Sequence, residues 1–226
     1  MPPTLPLGDM YRFGVDEAGK GPVLGPMVAA AVGGETSELP DGIADSKRLS
    51  ATTRESLATE LRENPAFAIG VGVVTVEEID DPETDMNQLT VAAHVRAIKQ
   101  VAEAGDRIIV DAGDVSESRF GCRITEGVSA EDIDVDVTAE HGADDSYTLV
   151  AAGSIIAKVE RDQWMNTIGM QYDQPVGSGY PSDPTTRAFL AAYIETHNEI
   201  PDCARRSWST CRDLLAAAEQ SALEEF

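Results

Sequence analysis

Two adjacent acids near the start of the chain are the first residues whose types suggest chemistry. Asp16 and Glu17 follow a short apolar run and precede a glycine-rich turn, within the string GVDEAGKGPVLGP of residues 14–26. A solvated acidic turn would not need an apolar strand to present it, so these acids are better interpreted as ligands of a metal ion. Side chains alternate between the faces of a strand, so both acids can point to one site only if the turn redirects one of them. Hard carboxylate oxygens are typical ligands of Mg²⁺ or Mn²⁺.

The same string contains most of a phosphate-binding loop of the GxxxxGK[ST] type. Gly14, Gly19 and Lys20 match that pattern, but Gly21 stands where a Ser or Thr must bind Mg²⁺. The two acids would also place negative charge where the loop has to hold phosphates. The sequence therefore argues against a nucleoside triphosphatase.

Further motifs follow in a fixed order along the chain. They are DSKRLS at 45–50, IIVD at 108–111, AD at 143–144, SIIAKV at 154–159, GSGYPSDP at 177–184 and RSW at 206–208. Together with residues 14–26, this ordered set resembles the motifs of ribonuclease HII, in particular its archaeal branch. The resemblance covers residues 12 to about 215. A pair of acids alone is a weak signal, whereas the whole ordered set is specific.

The resemblance implies a cluster of four acids that binds two divalent cations, Mn²⁺ or Mg²⁺. The implied catalytic and metal-binding residues are Asp16, Glu17, Asp111 and Asp144. Two such ions about 4 Å apart activate a water molecule and stabilise the leaving oxygen of a phosphodiester. The fourth acid stays open, since Asp145 stands beside Asp144 and could replace it. Gly142 also departs from the basic residue of the family's motif.

The resemblance also implies a set of substrate contacts. The turn Gly19-Lys20-Gly21 would approach the ribose 2′-hydroxyl, the group that separates RNA from DNA. An isolated loop tyrosine usually only packs, but within GSGYPSDP Tyr180 is expected to lie against the sugar. The remaining expected contacts, to backbone phosphates or to the acid cluster, are Lys47, Ser154, Lys158 and Arg206. Ser154 and Lys158 are four residues apart, so they share one face of a helix.

The implied function is an endonuclease that hydrolyses the RNA strand of RNA–DNA hybrids. The implied substrates include single ribonucleotides embedded in duplex DNA, and the products carry 5′-phosphate and 3′-hydroxyl ends. Two alternatives remain, another two-metal nuclease on the same fold and a non-catalytic protein that binds hybrids. The second gains nothing from a buried cluster of negative charge.

The pattern of the chain predicts an α/β fold that presents these residues, a ribonuclease-H-like mixed sheet flanked by helices with a C-terminal helical extension. Expected strands cover residues 11–16, 26–32, 66–76, 107–111 and 133–137, the last at a sheet edge. Expected helices cover 51–64 after the cap Ser50, 86–104, a long segment around 149–159, one beginning at Pro184 after the cap Asp183, and 207–225. The expected division is a catalytic domain, residues 1–183, and an extension, residues 184–226.

The charge of the chain is strongly negative. Forty acidic residues oppose 17 basic ones, for a net charge of −23, while 42% of the residues are hydrophobic. An acidic, lysine-poor surface around an ordinary core is typical of proteins that work at molar salt, where the Debye length falls to about 3 Å. We therefore expect a halophilic source.

The other features of the composition mainly argue against particular sites and segments. Three cysteines without a CxxC pair make neither a disulfide framework nor a zinc site, although a Cys203–Cys211 bridge stays open. No apolar run approaches eighteen residues, so a membrane span is not expected. The first ten residues lack the features of a signal peptide. We expect a cytoplasmic monomer.

Overall fold

The computed structural model describes residues 12–43 and 49–224, with side chains to residue 220. The expected substrate contact Lys47 lies outside the described residues. The described part forms a five-stranded mixed sheet in the order β3-β2-β1-β4-β5. The strands are β1 (Phe13–Ala18), β2 (Met27–Gly33), β3 (Ala68–Val74), β4 (Arg107–Asp111) and β5 (Asp136–Glu140). β2 is antiparallel to both β1 and β3, whereas β4 is parallel to both β1 and β5.

Helices cover both faces of this sheet, which confirms the predicted α/β class. They are α1 (Ala51–Glu63), α2 (Val76–Asp80), α3 (Met86–Ile98), α4 (Glu117–Ser129), α5 (Ala143–Ser146), α6 (Thr148–Gly169), α7 (Pro184–His197) and α8 (Ser209–Glu224). None of the helices in this part of the chain is both long and apolar enough to cross a membrane.

The central strand β1 is buried from both sides. Its residues Phe13 and Val15 belong to the apolar cluster that includes side chains of α3 and α4. The opposite face meets α6, which approaches so closely that a Cβ on Gly14 would lie 2.2 Å from the backbone nitrogen of Val150. Glycine at position 14 is therefore required for α6 to lie directly on β1.

Both predicted helix caps are confirmed. The Ser50 hydroxyl accepts a hydrogen bond from the Thr53 amide at 3.1 Å and begins α1. The Asp183 carboxylate accepts one from the Thr185 amide at 2.9 Å, and Pro184 follows as the first residue of α7. In each case the cap satisfies an amide at the start of a helix that has no partner within the helix.

The C-terminal helices pack onto the turn that follows β1. Apolar side chains of α7 and α8 form one cluster with Val23, Leu24 and the end of α6. Cys203 and Cys211 lie in this cluster as free thiols, so the bridge left open by the sequence is not formed. The division of the chain at residue 183 stays a prediction.

Several elements differ from the expectation. The short helices α2 and α5 were not predicted, and β3 covers Ala68–Val74 rather than residues 66–76. The helix α4 was not predicted, although Phe120, Ile124 and Val128 recur at a spacing of four, because Gly121 and Gly127 lower its helix propensity. β5 does lie at a sheet edge, but it begins at Asp136, where the backbone first pairs with the Asp106 carbonyl. The helix α3 ends at Ile98, six residues before the expected end at 104.

Candidate active site

The two adjacent acids Asp16 and Glu17 both lie within β1. The strand stays regular to Ala18, so alternation is kept and the turn redirects neither side chain, contrary to the expectation. Asp16 faces α6, where it hydrogen-bonds Ser154, and Glu17 faces His94 on α3. The carboxylates nevertheless lie near enough to each other that the charge of Asp16 raises the pKa of Glu17.

A short hydrogen-bond chain supports Asp16 from α6. The Lys158 ammonium donates to the Ser154 hydroxyl at 2.8 Å, and Ser154 in turn hydrogen-bonds the Asp16 carboxylate. Burial raises the pKa of Asp16 to about 6, and the nearby charge of Asp111 acts in the same direction. The Ser154 hydrogen bond and the Lys158 charge lower it. The expected shared helix face of Ser154 and Lys158 is therefore present.

Glu17 carries a buried oxygen atom without a hydrogen-bond partner. Burial, followed by repulsion from Asp16, raises the pKa of Glu17 to about 8, while the charge of Lys20 lowers it. Its Oε2 atom lies 3.5 Å from Nε2 of His94. Among the described residues, neither of these two atoms has a hydrogen-bond partner. Buried polar atoms are rarely left in this state without a function.

His94 is a residue for which the sequence suggested no role. It is fully buried on α3, and burial lowers its pKa to about 4, which leaves the ring neutral. Its Nδ1 atom donates to the Thr90 carbonyl at 2.9 Å, so the Nε2 lone pair faces Glu17. The available signal was a histidine on the apolar face of a predicted amphipathic helix, between Ala93 and Ala97.

Asp111 ends β4 beside Asp16. The pairing of β1 with β4 ends at Val15 and Val110, so the two aspartates follow one residue later on adjacent parallel strands. The Asp111 carboxylate accepts a hydrogen bond from the Ala143 amide at 2.8 Å, which joins the strand end to α5. The third predicted acid is thus next to the first.

Asp144 and Asp145 differ in burial. Gly142 adopts a left-handed conformation with φ 66° and begins α5, which carries both acids. Asp144 is 8% exposed, whereas Asp145 is an exposed residue. Burial next to Ala143, which contacts Asp111, supports Asp144 as the fourth acid, and its role stays a prediction.

The acids fit a divalent cation by their chemistry. No three His, Cys, Asp or Glu side chains of residues 12–43 and 49–220 already stand close enough to hold a metal ion between them. However, the charge of Asp111 raises the pKa of both Asp16 and Glu17, the charge of Asp16 raises that of Glu17, and Glu17 has an unsatisfied oxygen. A bound cation would be the largest local charge and would reverse the effect of this repulsion. These carboxylates, with Asp144, are the residues that could hold metal ions.

A cleft of about 430 Å³ opens beside Glu17. Its lining residues are Glu17, Ala18, Gly19, Lys20, Gly21, Arg54, Lys158, Arg161, Asp162 and Tyr180. Four of them are basic and two are acidic, although the chain as a whole is strongly acidic. Basic residues are therefore concentrated at this cleft.

The structure brings the turn at residues 19–21 and Tyr180 together. Gly19 has φ 90°, and a Cβ there would lie 2.8 Å from the Pro26 carbonyl, so the turn needs glycine at this position. Gly21 lies beside the Tyr180 ring, whose Cε1 would be 3.9 Å from a Cβ on this glycine. Lys20 turns its ammonium group to the Gly113 carbonyl. Tyr180 is 42% exposed, so its ring can still contact a ligand.

Arg206 lies away from this cleft. Its guanidinium donates to Asp202 at 2.9 Å, and its side chain lines a separate acidic pocket with Glu77, Asp80 and Asp81. The predicted substrate contact of Arg206 stays a prediction. The preceding Arg205 is the arginine that reaches the turn, and Arg161, which the sequence analysis did not single out, lines the cleft.

Comparison with known proteins identifies the family to which this chain belongs. A sequence model of the ribonuclease HII family matches residues 13–211. Ribonuclease HII of Halobacterium salinarum is 59% identical over 96% of this chain and 100% of its own length. That of Haloarcula marismortui is 56% identical over 95% of this chain and 100% of its own length, and both organisms are halophilic archaea. The solved ribonuclease H2 of Pyrococcus horikoshii has a TM-score of 0.82 and 36% identity, covering 92% of this chain and 98% of that structure. The chain belongs to the ribonuclease HII family and is an endoribonuclease of the ribonuclease H type.

Proposed function

We propose that this enzyme hydrolyses the RNA strand of RNA–DNA hybrids and also cuts at single ribonucleotides embedded in duplex DNA. The proposed products carry 5′-phosphate and 3′-hydroxyl ends, and the proposed cofactors are two divalent ions, Mn²⁺ or Mg²⁺. The observation that carries the proposal is the buried pair Asp16 and Glu17 beside Asp111, at the mouth of a cleft with basic walls.

The four acids would hold the ions at the carboxyl ends of β1 and β4. When bound, two divalent ions supply an activated water molecule and stabilise the leaving oxygen. The chain's own part is to keep the acids in place. Ser154 and Lys158 hold Asp16 from α6, and the Ala143 amide holds Asp111.

The cleft would bind the substrate beside these acids. Its basic residues Lys20 and Lys158 are placed to attract backbone phosphates. The turn at residues 19–21 would meet the ribose and Tyr180 would pack against the sugar, since both lie on the same cleft. A site built around a hydroxyl group rejects the analogue that lacks it, because its polar groups are then left unpaired.

A cleavage assay on three matched duplexes tests the proposal. One duplex is a long hybrid, one is DNA with a single ribonucleotide, and one is DNA only. We expect cleavage of the first two with Mg²⁺ or Mn²⁺, no cleavage of the third, and no cleavage of any after chelation. Cleavage of all three would indicate another two-metal nuclease, and binding of hybrids without cleavage under every metal condition would indicate a non-catalytic protein.

A further inference from the structure

The backbone carbonyl groups of the turn at residues 19–21 face a buried arginine from the C-terminal part of the chain. Arg205 is fully buried, and its guanidinium donates to the Gly19 carbonyl at 2.5 Å and to the Lys20 carbonyl at 3.0 Å. Its Nε atom donates to the Gly25 carbonyl at 3.0 Å. One planar guanidinium thus holds two carbonyl groups of the turn and a third at Gly25, which an ammonium group could not do from a single position.

Trp208 completes this contact. Its indole nitrogen lies 3.4 Å from the Gly21 carbonyl, and its ring lies 4.9 Å from the guanidinium carbon of Arg205. The Arg205 amide also donates to the Val23 carbonyl at 2.8 Å. The segment around Arg205 therefore binds the turn through both backbone and side chains.

This arrangement fixes where the amide groups of the turn point. In a planar trans peptide the C=O and the following N–H point in opposite directions. The Gly19 and Lys20 carbonyls face Arg205, so the amides of Lys20 and Gly21 point away from it. No described residue accepts a hydrogen bond from either amide. Two hydrogen-bond donors are thereby left beside the cleft, next to Tyr180.

A second buried arginine holds the loop that carries Tyr180. Arg161 of α6 donates to the Ser178 carbonyl at 2.6 Å, and its guanidinium carbon lies 5.3 Å from the centre of the Tyr180 ring. A Cβ on Gly179 would lie 2.7 Å from the same guanidinium. Arg161 thus contacts the loop on both sides of Gly179, and its guanidinium lies close to where a Cβ of residue 179 would be.

The charges of these two arginines are not closely paired with a carboxylate, as buried charges usually are. No carboxylate of a described residue lies within 4 Å of Arg205, and the acid that pairs with Arg161, Asp162, is 4.0 Å away. Burial lowers the pKa of Arg205 to about 10, so it stays charged at neutral pH. A buried charge that is held mainly by carbonyl groups costs stability relative to apolar packing, so a purely structural role does not account for either residue.

We propose that Arg161 and Arg205 are positioning residues that hold the two walls of the ribose-binding cleft, Arg161 through Tyr180 and Arg205 through the amides of Lys20 and Gly21. The inference rests on the proposed function and deepens it. Neither arginine touches the reacting atoms. Each instead determines how well the cleft distinguishes ribose, which has a 2′-hydroxyl, from deoxyribose, which has a hydrogen in its place.

Binding measurements test this role without turnover. The affinities of a DNA duplex with one ribonucleotide and of the same all-DNA duplex are measured by fluorescence anisotropy with Ca²⁺, under conditions in which no product forms. Arg205→Lys is expected to lower the preference for the ribonucleotide by about tenfold, which is about 1.4 kcal/mol, and to leave the all-DNA affinity unchanged. The matched control Arg212→Lys, an exposed arginine of α8, is expected to keep the wild-type preference.

A double-mutant cycle tests Arg161. Arg161→Lys is expected to lower the same preference in the wild type but to have little effect in the Tyr180→Ala background, because Arg161 acts through that ring. Equal effects of Arg161→Lys in both backgrounds would overturn its assignment. An unchanged preference in Arg205→Lys, or equal weakening of both duplexes, would overturn the assignment of Arg205.

Two further outcomes are distinguishable. If Arg205→Lys does not fold, as judged by circular dichroism, the cycle on Arg161 and Tyr180 still decides the proposal, and additivity there contradicts it. If the wild type shows no preference for the ribonucleotide, the proposed function itself fails, whatever the variants do.

Discussion

Burial separates Asp144 from Asp145, two acids that the sequence left as alternatives. Asp144 is buried on α5 next to Ala143, whose amide donates to Asp111, whereas Asp145 is exposed. A ligand must be held by its surroundings to bind a metal ion with defined geometry, and a buried side chain is held by more of its surroundings than an exposed one. The structure thus adds a physical reason to the choice made from the motif.

Replacing single acids by amides tests this choice. Neutral amides are poorer ligands for hard divalent cations than carboxylates. We expect Asp144→Asn to reduce kcat/KM on a hybrid at least about tenfold more than Asp145→Asn, a difference of about 1.4 kcal/mol. Steady-state kinetics with saturating Mg²⁺ measure this, and equal losses would contradict the assignment of Asp144.

Ser154 offers a second test, because it supports Asp16 without being an acid. Partners of metal ligands typically contribute about 10- to 100-fold to metal affinity. Ser154→Ala is therefore expected to raise the Mg²⁺ concentration for half-maximal activity by about that factor. Ser118→Ala, at an exposed position of α4, is the matched control. An unchanged Mg²⁺ requirement would show that Ser154 only packs against β1.

The sequence predicted the site residues that lie within a recognisable motif. Asp111 and Tyr180 were found because their motifs, at 108–111 and 177–184, resemble those of ribonuclease HII. His94 and Arg161 were missed, since each resembles an ordinary helix residue until the fold places it against Glu17 or Tyr180. Contacts between distant segments, not residue types, define such positions.

At the scale of elements, local sequence signals such as helix caps predicted the structure well. Close packing between elements could not be predicted from the sequence. Caps at Ser50 and Asp183 begin their helices where predicted. The helix α4 was missed because its glycines reduce helix propensity. The structure explains Gly127, since a Cβ there would lie 2.6 Å from the Val95 side chain of α3. Glycine at such a position serves the packing of two helices, which sequence periodicity does not report.

The cap of α7 also holds the loop that carries Tyr180. One oxygen of Asp183 accepts from the Thr185 amide, and the other accepts from the amide and hydroxyl of Ser178 at 2.6 Å. These hydrogen bonds lower the pKa of Asp183 to about 2. We expect Asp183→Ala to lower the Tm at neutral pH, whereas Asp173→Ala, an exposed acid of the preceding loop, leaves it unchanged.

The pH dependence of the stabilisation by Asp183 follows from the direction in which its pKa is shifted. Because the pKa is lower in the folded state than the ordinary value of 3.8, the stabilisation is present above about pH 4 and is lost as pH falls through about 2. The difference in Tm between wild type and Asp183→Ala is therefore expected to shrink over that range. Thermal melts at several pH values measure it, and a difference that grows on acidification would contradict the assignment.

At the scale of the whole molecule, charge is distributed unevenly. The chain has a net charge of −23, yet four basic residues line the cleft. Self-repulsion among forty acids is screened only at high salt, where the Debye length is about 3 Å rather than 10 Å. We expect the Tm to rise steadily between about 0.1 and 2 M KCl. Full stability at low salt without divalent ions, measured by circular dichroism, would contradict this expectation.

The same distribution limits the salt dependence of substrate binding. Each phosphate neutralised on duplex DNA contributes about −0.9 to the slope of log affinity against log salt. Four cleft residues therefore predict a slope no steeper than about −4. Titrations of a hybrid in increasing KCl measure the slope, and a steeper value would show that basic residues outside the cleft also bind the duplex.

The contact between Arg205 and the turn at residues 19–21 has a consequence for synthesis of the protein. The atoms joined by the hydrogen bond from Arg205 to the Gly19 carbonyl are 186 residues apart in sequence. While the chain emerges from the ribosome, the acids of β1 are made first, but the turn has no partner for its carbonyl groups. A nascent or prematurely terminated chain that ends before residue 205 therefore carries the metal-binding acids without an ordered ribose-reading turn. We expect such fragments to be poor nucleases, so that selective cleavage begins only when the nearly complete chain has folded.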